Sequence, residues 1–204
     1  MYKFYSLILA ATITFLTLPV FAEELSYTFI SADYSIISTK LDGFTDDFEG
    51  NGIVIDLSLA VRPHMAVIGS YMKGSADLNF SGSRADADID STSLGILLHV
   101  PINKYSDFIL SVSFFNGKAV INIDGTSFRS EDANGGVTTL GFRSRTSDLL
   151  EFYGFIRRIK IEESSHIGIN VGLAYYLAES VTMDLAFSVD DDTDSIALGL
   201  TKYF

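Results

Sequence analysis

The sequence predicts an all-β fold: a single antiparallel up-and-down transmembrane β-barrel of about ten strands, preceded by a cleaved signal peptide. Three observations support this prediction. The chain of 204 residues is 48% hydrophobic, yet no apolar run after the first 22 residues is long enough for a transmembrane helix. Hydrophobicity then alternates with a period of two, and short connections alternate with long ones. A membrane protein without such helices can satisfy its backbone only in a closed barrel.

Residues 1–22 have the pattern of a secretory signal peptide. Lys3 gives a positive start, Leu7–Val20 is almost purely apolar, and Val20-Phe21-Ala22 offers a cleavage site. The apolar part is short for a membrane anchor, and an uncleaved anchor is the alternative. We therefore expect a signal peptide over residues 1–22 and one barrel domain over residues 23–204.

Period-two patterning between Gly, Pro, Asn, Asp and Ser clusters predicts ten strands. They are Leu25–Thr39, Gly50–Arg62, Met65–Phe80, Ile89–Val100, Asp107–Ile121, Gly135–Thr146, Leu150–Ile161, His166–Leu177, Val181–Val189 and Ser195–Phe204. The third and seventh segments alternate poorly, so an eight-stranded barrel is the alternative.

The predicted connections differ in length between the two ends of the barrel. Four are tight: 63–64, 102–106, 147–149 and 178–180. The other five are mostly longer and acidic: 40–49, 81–88, 122–134, 162–165 and 190–194. Outer-membrane barrels have short periplasmic turns and longer outer loops, and an even strand number brings both chain ends to the periplasmic side.

One face of each clearly alternating strand is bulky and apolar, and the other is small and polar. Lipid suits the first face and a crowded barrel interior suits the second; packing of the apolar face into a soluble core is the alternative. With the small face inward, several charged residues form a predicted lumen charge network: Asp33, Asp56, Arg143, Arg145, Arg158 and Asp184. A ten-stranded barrel is narrow, so such a network either plugs the lumen or lines a thin conduit.

The last residues carry a separate signal. Apolar residues at alternate positions precede an aromatic C-terminus, the pattern that barrel-assembly machinery recognises on outer-membrane proteins. The residues that form this predicted assembly signal are Leu198, Leu200, Tyr203 and Phe204. Further aromatic residues collect toward the same end of the strands and predict an interfacial girdle.

The chain resembles small Gram-negative outer-membrane β-barrel proteins, which are porin-like. It is most similar to a ten-stranded group labelled sulfation-dependent quorum factor. The resemblance rests on Tyr27–Tyr34, on Gly50–Arg62 with its proline turn, on Ile68–Tyr71 and on Leu198–Phe204. It implies a barrel in the cell outer membrane, reached through the periplasm, and it carries over no catalytic residue.

The net charge and the absence of known motifs exclude several functional classes. The net charge of −12 and the lack of a basic patch exclude nucleic-acid binding, and cysteine is absent. No cofactor, metal site or catalytic residue is predicted. The acidic loops favour either a solvated rim or a divalent-cation bridge to lipopolysaccharide phosphates.

The expected function is therefore non-enzymatic, as a structural barrel or an interaction surface. Its expected partners are outer-membrane lipid, lipopolysaccharide and, during biogenesis, the barrel-assembly machinery. A narrow diffusion channel for small solutes is one alternative. A lipid A or peptide hydrolase at the outer rim, built from Glu163, Ser164 and His166, is another.

Overall fold

The computed structural model describes residues 25–39, 48–80, 83–123, 126–129, 132–162, 164–191 and 193–204. The predicted signal peptide lies outside these residues. The strands are β1 (Phe29–Thr39), β2 (Phe48–Arg62), β3 (Met65–Phe80), β4 (Ser83–Asn103), β5 (Ser106–Ile123), β6 (Thr126–Arg129), β7 (Ala133–Ser147), β8 (Leu150–Ile161), β9 (Ser164–Ala178), β10 (Val181–Val189) and β11 (Thr193–Tyr203).

The strands form one closed antiparallel barrel. Each wall strand pairs with its neighbours in the chain, and β1 pairs with β11 from Phe29↔Tyr203 to Thr39↔Thr193. The short β6 pairs only with β5 and lies outside the circuit, which β5 continues by pairing with β7. Ten strands therefore make the wall, which confirms the predicted number; the eight-stranded alternative is wrong.

The two ends of the barrel differ. Two-residue turns at 63–64, 104–105, 148–149 and 179–180 lie at the end where the chain enters at residue 25 and finishes at Phe204. We call this the terminal end and the opposite one the loop end. The tight turns agree with the sequence prediction.

The predicted loop at 81–88 is wrong for most of its length, because β4 already begins at Ser83. Asp86, Asp88 and Asp90 alternate with Ala87 and Ile89, so the period-two pattern continues through this acidic stretch. Similarly, β6 lies within the predicted loop 122–134.

The apolar face points outward, as predicted. Leu94 is 66% exposed and Phe114 is 76% exposed, and they belong to a belt of exposed Ile, Leu, Val and Phe around the barrel. Most buried side chains of the described residues are instead polar or charged. Such an inverted distribution is that of a barrel in lipid. No helix in the described part of the chain is long and apolar enough to cross a membrane.

The weak alternation of β8 has a steric origin. Its inward side chains include the large rings of Tyr153 and Phe155, which line a cavity in the lumen. Gly172 and Gly141 on the neighbouring strands leave room for these rings, because a Cβ atom at either glycine would collide with them. Inward aromatics on β8 thus depend on glycines that are distant in sequence.

Candidate functional site: the barrel interior

A buried aromatic and charged cluster occupies the β4–β5 side of the lumen at the terminal end. The Tyr27 hydroxyl donates to Asp107 Oδ2 at 2.8 Å, and His99 Nδ1 lies 2.8 Å from the same oxygen. The Tyr27 and His99 rings stack at 3.8 Å. Burial raises the pKa of Tyr27 well above its ordinary range, which keeps the phenol protonated as a donor.

The chain segment before β1 is fixed in place by the wall. Ser58 Oγ donates to the Tyr27 carbonyl at 2.7 Å, and Phe204 N donates to the Thr28 carbonyl at 3.0 Å. The segment therefore enters the barrel mouth and carries the Tyr27 ring into the lumen.

A second cluster contains a buried ion pair. Arg143 Nε donates to Glu151 Oε1 at 2.6 Å, and the Tyr176 hydroxyl donates to Glu151 Oε2 at 2.9 Å. Arg143 also donates to Tyr203 Oη and to the Ser26 carbonyl, each at 3.2 Å. Because β11, which carries Tyr203, is not a neighbour of β7, the Arg143 side chain crosses the lumen.

The two clusters meet in the lumen at the terminal end. The Arg143 guanidinium carbon lies 5.1 Å from the centre of the Tyr27 ring. Glu151 is 1% exposed and Arg143 is 7% exposed. We call the combined set the terminal plug; its members are Tyr27, His99, Asp107, Arg143, Glu151, Tyr176 and Tyr203.

Arg145 supports the plug from one side. Its guanidinium carbon lies 3.9 Å from the centre of the Tyr176 ring, and its Nη2 donates to the Asp148 carbonyl in the β7–β8 turn at 2.9 Å. Stacking and hydrogen bonding of this kind suit the planar guanidinium group.

Three aspartates line the wall on the loop side of the plug. Asp33 and Asp184 flank Gly199 in one row across β1, β11 and β10. The absent side chain at Gly199 leaves space for the Asp33 carboxylate. The third, Asp56, lies opposite Ser31 on β2.

Hydroxyl groups satisfy two of these carboxylates. Ser31 Oγ donates to Asp33 Oδ2 at 3.1 Å. Thr182 and Thr201 donate to Asp184 Oδ2 at 3.0 Å and 2.8 Å. These donors let the carboxylates remain inside the barrel.

A cavity of about 410 Å³ occupies the lumen beside these aspartates. Asp33, Asp56, Arg143, Glu151 and Asp184 contribute charged groups to its lining. Small polar residues and alanines line it as well, together with larger aromatic and aliphatic side chains: Phe29, Val54, Leu97, Ile109, Tyr153, Phe155 and Tyr203.

The residues of the predicted lumen charge network do not all lie in the same part of the barrel. Asp33, Asp56, Arg143 and Asp184 line one cavity, and Arg145 lies in the buried layer at the terminal end. Arg158 is a correction: it lies opposite Thr138 and Ile167 on the outer face and is exposed. Arg157, its neighbour, has the inward phase instead, because β8 continues the alternation set by Glu151. That the inward charges act as one network remains a prediction.

The predicted C-terminal signal is divided between the two faces. Leu198, Leu200 and Phe204 point outward and are 54%, 54% and 75% exposed. Tyr203 instead points inward into the terminal plug, because it alternates with Phe204. The predicted aromatic girdle is likewise only partly external, since Tyr27, Tyr153 and Tyr176 also face inward.

Sequence reasoning missed Glu151, the key carboxylate of the plug. Glu151 lies directly opposite Arg145 across the tight β7–β8 turn. The sequence could have indicated that Glu151 faces inward, because the tight turn pairs it with the inward Arg145 and paired residues on neighbouring strands share a face. Tyr27 and Asp107 are 80 residues apart, and no local pattern joins them.

Of the three predicted rim residues, the structure describes Ser164 and His166. His166 Nδ1 lies 4.0 Å from Asp191 Oδ2, and no hydrogen bond joins His166 to Ser164 among the described residues. Glu163 and much of the acidic loop sequence lie outside the described residues. Within the described ranges, no group of three His, Cys, Asp or Glu side chains could hold a metal ion.

Solved structures with a similar fold are outer-membrane proteins. The transport unit of the autotransporter AIDA-I from Escherichia coli has 12% identity and a TM-score of 0.57, covering 93% of this chain and 94% of that chain. The translocator domain of the autotransporter NalP from Neisseria meningitidis has 10% identity and a TM-score of 0.55, covering 89% and 90%. Neisserial surface protein A has 12% identity and a TM-score of 0.50, covering 88% and 98%.

Comparison with curated proteins finds no match. The family model described as outer membrane protein beta-barrel domain matches residues 8–200, which is nearly the whole chain. This match agrees with the closed ten-stranded wall, the apolar outer belt and the polar interior. The chain belongs to the outer membrane protein beta-barrel domain family and is an outer-membrane protein.

Proposed function

We propose that this protein is a closed, non-enzymatic barrel that serves the outer membrane as a structural element or an interaction surface. The terminal plug is the observation that carries the proposal. It joins residues from β4, β5, β7, β8, β9 and β11 with the segment before β1 into one hydrogen-bonded layer across the lumen.

The plug is costly to open. An ion or solute that crosses the barrel must separate Arg143 from Glu151 or displace the Tyr27 ring. Breaking a buried ion pair leaves an uncompensated charge and costs about 3–5 kcal/mol. Because several parts of the wall hold the layer, one rotamer change does not open it.

A permeability assay tests the proposal. Liposomes carrying the refolded protein should exclude a small sugar such as arabinose at the rate of protein-free liposomes. A variant in which Tyr27, Arg143 and Glu151 are all replaced by alanine should admit it, and the milder Tyr27→Ala variant serves if the triple variant does not fold. Folding is checked by the change in gel mobility on boiling. Sugar uptake through the wild-type barrel would refute the closed lumen.

A narrow diffusion channel is the second candidate, favoured by the charge-lined cavity on the loop side of the plug. In this function the plug is a gate and the aspartates select cations. If the wild-type barrel is permeable to cations and this permeability falls when Asp56 is changed to Asn, the channel is favoured over the closed barrel.

For partners, we propose lipopolysaccharide in the outer leaflet and the barrel-assembly machinery during biogenesis. The outward Leu198, Leu200 and Phe204 support recognition of the last strand. Changing Phe204 to Ser should reduce the amount of folded barrel in outer-membrane fractions, whereas the same amount of folded protein would contradict this role.

A further inference from the structure

The outer face of β8 carries two neighbouring cations near the loop end. Arg158 and Lys160 lie two positions apart on the same outward face, and both are exposed. The chain as a whole has a net charge of −12, so a pair of like positive charges on its outer wall requires an explanation.

The strand neighbours of these two residues carry no charge. Arg158 lies between Thr138 and Ile167, and Lys160 lies between Gly136 and Ser165. Arg158 Nε donates to Ser165 Oγ at 2.9 Å, which uses one of the N–H groups of the guanidinium.

Carboxylates do not compensate this pair within the described residues. Glu162 follows the end of β8 with a φ of 50°, and none of the ion pairs between described residues joins it to either cation. Gly136 has no side chain, and a Cβ atom there would meet only the Ser113 carbonyl oxygen, at 3.7 Å, so the outer surface beside Lys160 is recessed.

Another sector of the same outer wall shows the contrasting arrangement. One row carries Lys73, Asp90, Lys118 and Asp132 on successive strands and their connection, with charges that alternate in sign. Lys118 Nζ lies 3.7 Å from Asp132 Oδ1. Lys118 is therefore paired with a carboxylate of the protein, and Lys73 lies in register opposite Asp90.

The height of the pair on the wall coincides with the edge of the apolar belt. On β9 the outward residues from Leu177 to Ile167 are apolar or aromatic, and these two are each 56% exposed. Ten residues extend about 33 Å along a strand, which is roughly 25 Å in height at the usual tilt of barrel strands. This equals the usual height of the lipid-facing band, and Arg158 lies opposite Ile167 at its upper edge.

We propose that Arg158 and Lys160 form a docking site on the outer wall for the phosphate of an outer-leaflet lipid, the lipid A part of lipopolysaccharide. This inference rests on the proposed lipopolysaccharide partner and gives it a place on the barrel. Acyl chains pack against the belt at Ile156 and Ile167, and the phosphate contacts the guanidinium and ammonium groups directly. The recess at Gly136 accommodates the headgroup beside Lys160.

Titration of the folded barrel in detergent with bisphosphorylated and dephosphorylated lipid A tests the site. Binding is followed by native mass spectrometry, and folding by the gel shift. Wild type should prefer the phosphorylated lipid. The double variant Arg158→Gln with Lys160→Gln should bind the phosphorylated lipid about 25-fold more weakly, because each cation at a lipid surface contributes about 5-fold. It should also lose the preference for phosphorylated over dephosphorylated lipid A. Arg158→Lys should retain most of the affinity.

The matched control is Lys73→Gln with Lys118→Gln, which removes two cations that each lie in register opposite a carboxylate, and it should change the affinity less than about 2-fold. Equal losses in both double variants, or no loss in the first, would overturn the site while leaving the lipopolysaccharide partner in place. No phosphate preference in wild type would overturn both. All of these variants should exclude sugar as the wild type does, because the substitutions lie on the outer wall. A failure of the proposed closed lumen is therefore detected separately from a failure of the lipid site.

Discussion

Replacement of Glu151 by Gln tests the energetic core of the terminal plug. The Glu151 side chain is 1% exposed and that of Arg143 is 9% exposed, with Nε and Oε1 2.6 Å apart. Gln keeps the shape and can still accept from Tyr176, but the Arg143 charge then lacks its carboxylate inside the barrel. Loss of one partner of a buried pair costs about 3–5 kcal/mol, and we expect this decrease in the free energy of unfolding.

Urea unfolding of the refolded barrel in lipid vesicles, followed by the gel-mobility shift, measures this effect. Asp132→Asn is the control, because Asp132 is 51% exposed and its pair with Lys118 spans 3.7 Å, so its loss should cost at most about 1 kcal/mol. Arg143→Met combined with Glu151→Met should recover part of the loss, since neither charge is left alone. A decrease below about 1 kcal/mol for Glu151→Gln would refute the reasoning.

Three further predictions concern the interior and the belt. Gly172→Ala should destabilise the barrel by about 1–3 kcal/mol because its methyl group collides with the inward tyrosine ring of β8, whereas Gly69→Ala should stay within about 0.5 kcal/mol; equal unfolding midpoints would contradict this. Ile96→Arg places a charge deep in the lipid and should lower the free energy of unfolding in vesicles by about 2–4 kcal/mol. Ile102→Arg lies near the terminal end and should lower it by only about 0–1 kcal/mol; a larger loss for Ile102→Arg than for Ile96→Arg would contradict these positions in the membrane. Tyr27→Phe removes a buried hydroxyl that donates to a carboxylate and should cost about 1.5–3 kcal/mol in the same assay.

The wall of the barrel was predictable from the sequence because lipid and a narrow polar lumen impose opposite demands on alternate residues. The strand β2 shows this clearly: its isoleucines and leucines are exposed, while Asp56 and Ser58 face inward. The tight turns were predictable because proline and short polar clusters interrupt the alternating segments. Acidic alternation misled the prediction at Ser83–Asp88, where aspartates on a strand resembled a loop.

The interior was only partly predictable, because its contacts join residues that are distant in sequence. The inward phase of β8 was hidden by large residues on both faces, so Arg158 was assigned to the lumen in place of Arg157. The phase becomes clear only when Gly141 and Gly172 of the neighbouring strands are seen to accommodate the β8 rings. Tyr27 reaches Asp107 only because the closed circuit brings β4 and β5 near the chain start.

The conductance of the refolded barrel in a planar lipid bilayer tests the central claim of a closed lumen most directly. Folding is first verified by the gel shift on boiling. We expect a silent membrane for the wild-type protein and discrete current steps for the variant with alanine at Tyr27, Arg143 and Glu151. Reproducible wild-type steps of the same size would contradict the closed lumen and make the terminal plug part of a conducting path.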